Sequence, residues 1–216
     1  MPARPKFSRE QLQAAALAIV DERGLAALSM RSLADALGTG AMTIYNYVRN
    51  RDELDALVVE AVLSKTRWPD HSSGDWQQDV RAIAEALWQA VRNHPAVIPL
   101  VLTRRSLHDT TLACAEALLE ALATSGRSGM DLLVAFRTVM GFVMGLAQAQ
   151  LAGPLSADDD RVSAVTIRQM QGLDPGRFPR LVEVADAAAR GNTQHEFDAG
   201  IGIILAGLGA SSPSRR

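Results

Sequence analysis

Residues 29–51 read S-M-R-S-L-A-D-A-L-G-T-G-A-M-T-I-Y-N-Y-V-R-N-R. Two short helical segments, 30–37 and 41–48, flank Gly38-Thr39-Gly40, and Ser29 is placed to cap the first of them. Ala34 is small where two helices must cross closely. Gly38 can take the positive-φ conformation that larger residues resist. Leu33, Leu37, Ile44 and Val48 supply a core beneath the pair. This is a helix-turn-helix pattern. A third helix over 11–23 braces it, with Ser8 and Gln11 forming a capping box, Leu12, Ala15, Ala16, Ile19 and Val20 as its apolar stripe, and Gly24 as its stop.

The second short helix has an unusual outer face. Thr43, Tyr45, Asn46 and Tyr47 are polar or amphipathic, and Ala41 and Met42 leave its start uncrowded. A recognition helix needs donors and acceptors that reach base edges or phosphates, not a solvating coat of Glu and Lys. Arg31, Arg49 and Arg51 flank it with positive charge. For Tyr45 and Tyr47, half-buried packing is the competing role.

Charge follows the same division. Residues 1–51 hold seven Lys/Arg and four Asp/Glu, whereas residues 52–216 hold fifteen and twenty. A basic head on an acidic body suits a chain that meets a polyanion only through the head.

Outward from this stretch the sequence reads as helices almost throughout, so the expected class is all-α. Asn50 with Glu53 caps a helix reaching about residue 66. After a polar interruption, Asp75 with Gln78 caps a helix to 92. Pro95 opens a short helix ending near 103. Helices over 109–125 and 130–151 follow, the latter apolar on more than one face. Residues 155–176 hold the Asp158–Asp160 run and the loop before Pro179, and are the least predictable part. Pro179 opens a helix to 190, and Thr193 with Glu196 caps the last one. The expected domains are 1–54, with a linking helix to about 67; 68–210 for ligand binding and dimerisation; and a disordered tail, 211–216.

The chain has 216 residues, 48% of them hydrophobic, enough for a real core. No unbroken apolar run reaches the ~18 residues of a membrane span, and residues 1–8 show no signal-peptide core. A cytoplasmic protein without membrane contact is expected. Cys114, alone, excludes an internal disulfide. Catalysis is not expected: Cys114 lies on an alanine- and leucine-rich helix without a histidine nearby in sequence, His94 precedes Pro95, and Asp158–Asp160 has no ligand spacing. A helical module that docks protein instead of DNA is the alternative function.

With those residues in view, 8–54 resembles the DNA-binding domain of the TetR family of bacterial transcription regulators. G-L-A-A-L-S-M-R-S-L-A-D-A-L-G followed by T-I-Y-N-Y-V-R-N-R-D-E-L is similar to the family signature position by position. D-W-Q-Q-D-V-R-A-I-A-E-A-L-W and H-E-F-D-A-G-I-G-I-I-L-A-G-L are similar to the C-terminal domain of relatives of the tetracycline repressor. The resemblance implies an all-helical homodimer on a palindromic double-stranded operator, released by a small-molecule effector. It implies a base or phosphate contact for Arg31, base or phosphate contacts for Thr43 and Tyr45, operator choice by Asn46 and Tyr47, and a phosphate contact for Arg51. Lys6 and Arg4 lie in an arm that in some members reaches the minor groove. Ala41 departs from the tetracycline repressor, which carries a base-reading amide there.

The ligand side departs further. Where the tetracycline repressor holds a drug–magnesium complex, this chain has Lys65, Ile83, Leu118 and Ala149, with Leu100–Leu102 near another position. None is a hard oxygen ligand of the kind magnesium takes. No cofactor or metal is expected, and the effector should be mainly apolar. The candidate lining is Ile83, Leu87, Trp88, Leu133, Phe136, Met140 and Met144, for which plain core is the competing role. Dimerisation is expected through 130–151 and the last helix, with Phe197, Ile201, Ile204 and Leu208 facing the partner.

Overall fold

The computed structural model describes residues 6–67, 72–103, 108–152 and 161–211. Arg4, His71, Arg104, Arg105, Asp158–Asp160 and residues 212–216 lie outside them. The helices are α1 (Arg9–Arg23), α2 (Met30–Ala36), α3 (Ala41–Ile44), α4 (Arg51–Leu63), α5 (Trp76–Asn93), α6 (Ile98–Thr103), α7 (Asp109–Ala123), α8 (Gly129–Ala152), α9 (Arg161–Gln171), α10 (Pro179–Ala188) and α11 (Thr193–Ala210). No strand occurs among the described residues. The chain forms two compact units, Met1–Trp68 with Gln89–Ala117, and Pro69–Trp88 with Leu118–Arg216. Helices α5 and α7 contribute residues to both.

In the first unit the local signals act as written. Ser8 and Gln11 close a reciprocal capping box on α1, and Gly24 ends it at φ 79°. Ser29 and Ser32 form a second box on α2. Gly38, at φ 61°, makes the turn between α2 and α3. Four residues are too few for α3 to stand alone, because helix nucleation is unfavourable. It is held instead by Ile44 and Val48, both fully buried, each gaining about 1.5–3 kcal/mol from burial. α3 stops at Ile44, short of the expected 48. Asn46 N donates to Thr43 O and Tyr47 N to Ile44 O, the tighter pattern that finishes a helix. Helix α4 packs on α1 and α6 and is buried from Leu54 to Leu63.

In the second unit α8 packs on α11, and α9 on α10. Trp88 stacks on Phe197 with centroids 4.8 Å apart, and Phe142 tilts onto the same ring at 6.0 Å. Gly200 permits this approach, since a Cβ there would lie 2.5 Å from the Phe142 ring. Gln150 crosses the apolar interior with its polar atoms satisfied. Trp88 Nε1 donates to its Oε1 at 3.0 Å, and its Nε2 donates to Thr193 O at 3.1 Å and Glu196 Oε2 at 2.9 Å. Buried Arg127 donates to the Leu208 and Ser211 carbonyls and so caps the C-terminus of α11. Ser211, expected in a disordered tail, is held by that contact.

Several expectations are corrected. The cap of α11 is Asn192, whose side chain accepts from the Gln194 and His195 N–H groups, one residue before the expected Thr193. Asp75 accepts from Gln77 N, not Gln78. Helix α9 forms within 155–176, the stretch that the sequence left without an assignment. Gly129–Gln150 is long and apolar enough to cross a membrane by length and composition. Phe197 and Ile201 are wholly buried within their own chain, so they do not face a partner; the Trp88 stack claims that side of α11.

Candidate nucleic-acid interface

With Ile44 turned inward, the outer face of α3 is set by the helical period. Tyr45 is 49% exposed, Asn46 is exposed, and Thr43 is half-buried. Arg31 on α2 and Arg49 beyond α3 are exposed beside this stretch in sequence. Lys6 is exposed, and its Nζ donates to Thr39 Oγ1 at 3.3 Å in the α2–α3 turn. This arrangement presents hydrogen-bonding groups on one rigid face with cations around it.

Two expected contact residues have other work. Tyr47 is half-buried; its hydroxyl accepts from Phe7 N at 3.1 Å, and its ring meets Phe7 edge-on at 6.2 Å. It therefore ties the N-terminal arm to the end of α3. Arg51 donates from Nε to buried Asp55 at 2.7 Å, and from its other nitrogens to the Leu28 and Leu25 carbonyls. Its fork joins α4 to the α1–α2 connection, a use that lysine could not reproduce.

The sequence reading missed the polar joint around Glu60. This carboxylate is buried in α4, and Arg9 holds it with two 2.8 Å bonds. Gln13 adds a third donor at 2.9 Å, and His108 Nδ1 lies 3.3 Å from Oε1. The Glu60 hydrogen bond holds the Arg9 guanidinium above its ordinary pKa. His94 Nδ1 lies 3.0 Å from Asp21 Oδ2 on α1. His94 and His108 thus meet α1 and α4 at two places. The available signal was a lone Glu in the apolar run V-V-E-A-V.

The candidate ligand-lining residues divide. Ile83, Leu87, Trp88 and Met144 are buried; Phe136 and Met140 are half-buried; Leu133 is 36% exposed. Trp88 is occupied by its stack and by Gln150. Of the positions expected to correspond to the drug–magnesium contacts, Leu118 and Ile83 are buried, and Lys65 and Ala149 are exposed. Among the described residues no three His, Cys, Asp or Glu side chains gather into a metal site.

Comparison with known proteins agrees with this architecture. Residues 12–56 match the family described as "Bacterial regulatory proteins, tetR family", and residues 68–211 match "Tetracyclin repressor-like, C-terminal domain". An HTH-type transcriptional regulator of Saccharopolyspora erythraea is 29% identical over 97% of this chain and 87% of its own length. The HTH-type transcriptional repressor DrrR1 of Streptomyces coeruleorubidus is 28% identical over 99% and 81%. The Streptomyces coelicolor TetR family protein ActR, solved in complex with actinorhodin, superposes with a TM-score of 0.79 at 27% identity, covering 95% of this chain and 96% of that one. The fold and its exposed α3 face define a DNA-binding transcription regulator. The chain belongs to the TetR family.

Proposed function

We propose that the protein is a homodimeric repressor that binds a palindromic operator through α3 and leaves it when a small, mainly apolar molecule occupies the second unit. The observation that carries the DNA reading is the outward face of α3 and of the turn that follows it, made polar by Thr43, Tyr45 and Asn46 while Ile44 is buried behind it. Asn46 reads base edges; Arg31, Thr43, Tyr45 and Lys6 meet phosphates or bases. Tyr47 and Arg51 act by positioning the arm and α4. Loss of a phosphate contact in Arg31→Ala should weaken binding to all sequences alike and lower the salt slope by about 1. Asn46→Ala should cost about 1–3 kcal/mol and relax one position of the site. Unchanged sequence preference in a randomised operator library would remove Asn46 from the reading.

Dimerisation is supported by α8. Only 28% of its most apolar window is buried in the chain. Val134 is 55% exposed, and a Cβ at Gly141 or Gly145 would have no neighbour within 4 Å. On α11 the exposed large hydrophobic is Ile203, at 74%. Two such helices from each subunit form a four-helix interface around a two-fold axis, and that symmetry sets two α3 helices about 34–36 Å apart on successive major grooves.

The effector reading rests on Phe136, Met140 and Leu133, apolar side chains left partly open, and on Ile83 and Leu118, which stand where the tetracycline repressor has side chains that hold its drug–magnesium complex. The ActR complex with actinorhodin supports a small-molecule site in this fold. Thermal shift with tetracycline and magnesium should show no stabilisation; a magnesium-dependent rise in Tm would overturn the apolar reading.

A further inference from the structure

The side chain on α3 that hydrogen bonding leaves unexplained is Met42. At 78% exposure it is the most exposed large hydrophobic among the described residues. It is not random surface scatter by position. Met42 precedes Tyr45 by three residues and Asn46 by four, and the turn after α3 keeps the helical sense, Tyr45 N donating to Ala41 O and Asn46 N to Thr43 O, so all three lie on one side. Ile44, two residues on, points the opposite way into the core with no exposure. Ala41 before it is small and leaves the thioether room to swing.

We infer that Met42 is a specificity-determining residue that reads the C5-methyl group of thymine in the major groove. This rests on the reading of α3 as the element that enters the groove. Methionine has no hydrogen to donate and only a weak acceptor, so it can distinguish bases only by apolar contact. Among the four bases, thymine alone shows a methyl group on its major-groove edge. An unbranched, polarizable side chain adapts to that methyl without demanding one rotamer. Met42 therefore favours thymine at one position per half-site, beside the base that Asn46 reads.

The test uses the full chain and DNA alone. Bound duplexes are enriched from a randomised library, and the winning site is then made with each thymine replaced singly by deoxyuridine, which removes only the methyl group. The wild-type chain should lose about fourfold in affinity at one thymine per half-site, the factor for one methylene-sized group returned to water. Met42→Ala should bind the thymine site about fourfold more weakly and no longer distinguish thymine from uracil there. Met42→Leu should restore the distinction. Because Met42 is exposed, these variants should keep the wild-type circular dichroism spectrum. Equal binding of every uracil-substituted site by the wild type, or unaltered discrimination by Met42→Ala, would overturn the assignment to Met42 alone. Failure of the library to enrich any sequence would instead sink the α3 reading, and this inference with it.

Discussion

Helices α4 and α8 are both written largely in apolar residues, and they are buried to opposite extents. From Leu54 to Leu63 every residue of α4 is buried, even Asp55 and Glu60. The longer α8 keeps Val139, Val143, Met144 and Ala147 inside but leaves Met130, Leu133 and Val134 exposed. The difference teaches that apolar composition measures demand for burial, not its supply within one chain. In α4 the demand is met by α1 and α6, and its two buried carboxylates, Asp55 and Glu60, are held by Arg51 and by Arg9 with Gln13. In α8 one side is met by α11 and the other is left exposed.

The comparison breaks most sharply at the uncovered side. Val134→Glu combined with Ile203→Glu puts charge on both exposed helices and should convert a sedimenting dimer to monomer, because an unpaired charge in an interface is strongly disfavoured. The helical circular dichroism should persist, and specific operator binding should fall at least a hundredfold, since each half-site is then bound alone. A double variant that still sediments as the dimer would place the interface elsewhere and leave α8 facing water.

On the covered side, Trp88→Ala removes the ring stacked on Phe197 and the donor to Gln150. A loss of about 3–5 kcal/mol is expected from denaturant unfolding. A cost near zero would mean that the aromatic stack is not what holds α11 in place.

In α4, Glu60→Ala should cost roughly 1–3 kcal/mol, the lower end applying because Arg9 is half-exposed and can return to water. Glu60→Gln should fall between the wild type and the alanine variant, since it keeps oxygen for Arg9 but not charge. Equal Tm for all three would mean that the joint between α1, α4 and His108 contributes nothing to stability.

The smallest signal is chemical. Burial pushes the Cys114 thiol up to about 12 from 9.0. Because the thiolate is the reactive species, labelling by iodoacetamide at pH 8 should be roughly a thousandfold slower in the folded protein than in the unfolded chain. Labelling at the unfolded rate would show that α7 opens locally.

Much of the fold was legible because its signals are local. The Ser8 box, the Ser29 cap, Gly24 and Gly38 act within four residues, where hydrogen-bond geometry leaves few choices. The α3 face was legible for the same reason: with Ile44 and Val48 needed below, the helical period leaves Tyr45 and Asn46 above. Signals failed where two acceptors competed within one turn. Thr193 and Asn192 are both good caps, and it is the Asn192 side chain that accepts from Gln194 N and His195 N.

The sequence by itself determined an all-helical chain, a helix-turn-helix near its start, and which residues could carry hydrogen bonds to DNA. Only the tertiary structure decided what those residues are free to do. Tyr47 and Arg51 look like DNA contacts in a linear reading, and in the fold they also hold Phe7, Asp55 and two carbonyls. Ile201 and Ile203 are two residues apart and chemically identical, yet one is buried and the other is 74% exposed. Periodicity sorts residues into faces, but it does not say which face meets a neighbour. That choice is made by long-range contacts, the Trp88 stack on α11 and the Glu60 joint in α4, whose partners lie tens of residues away in sequence.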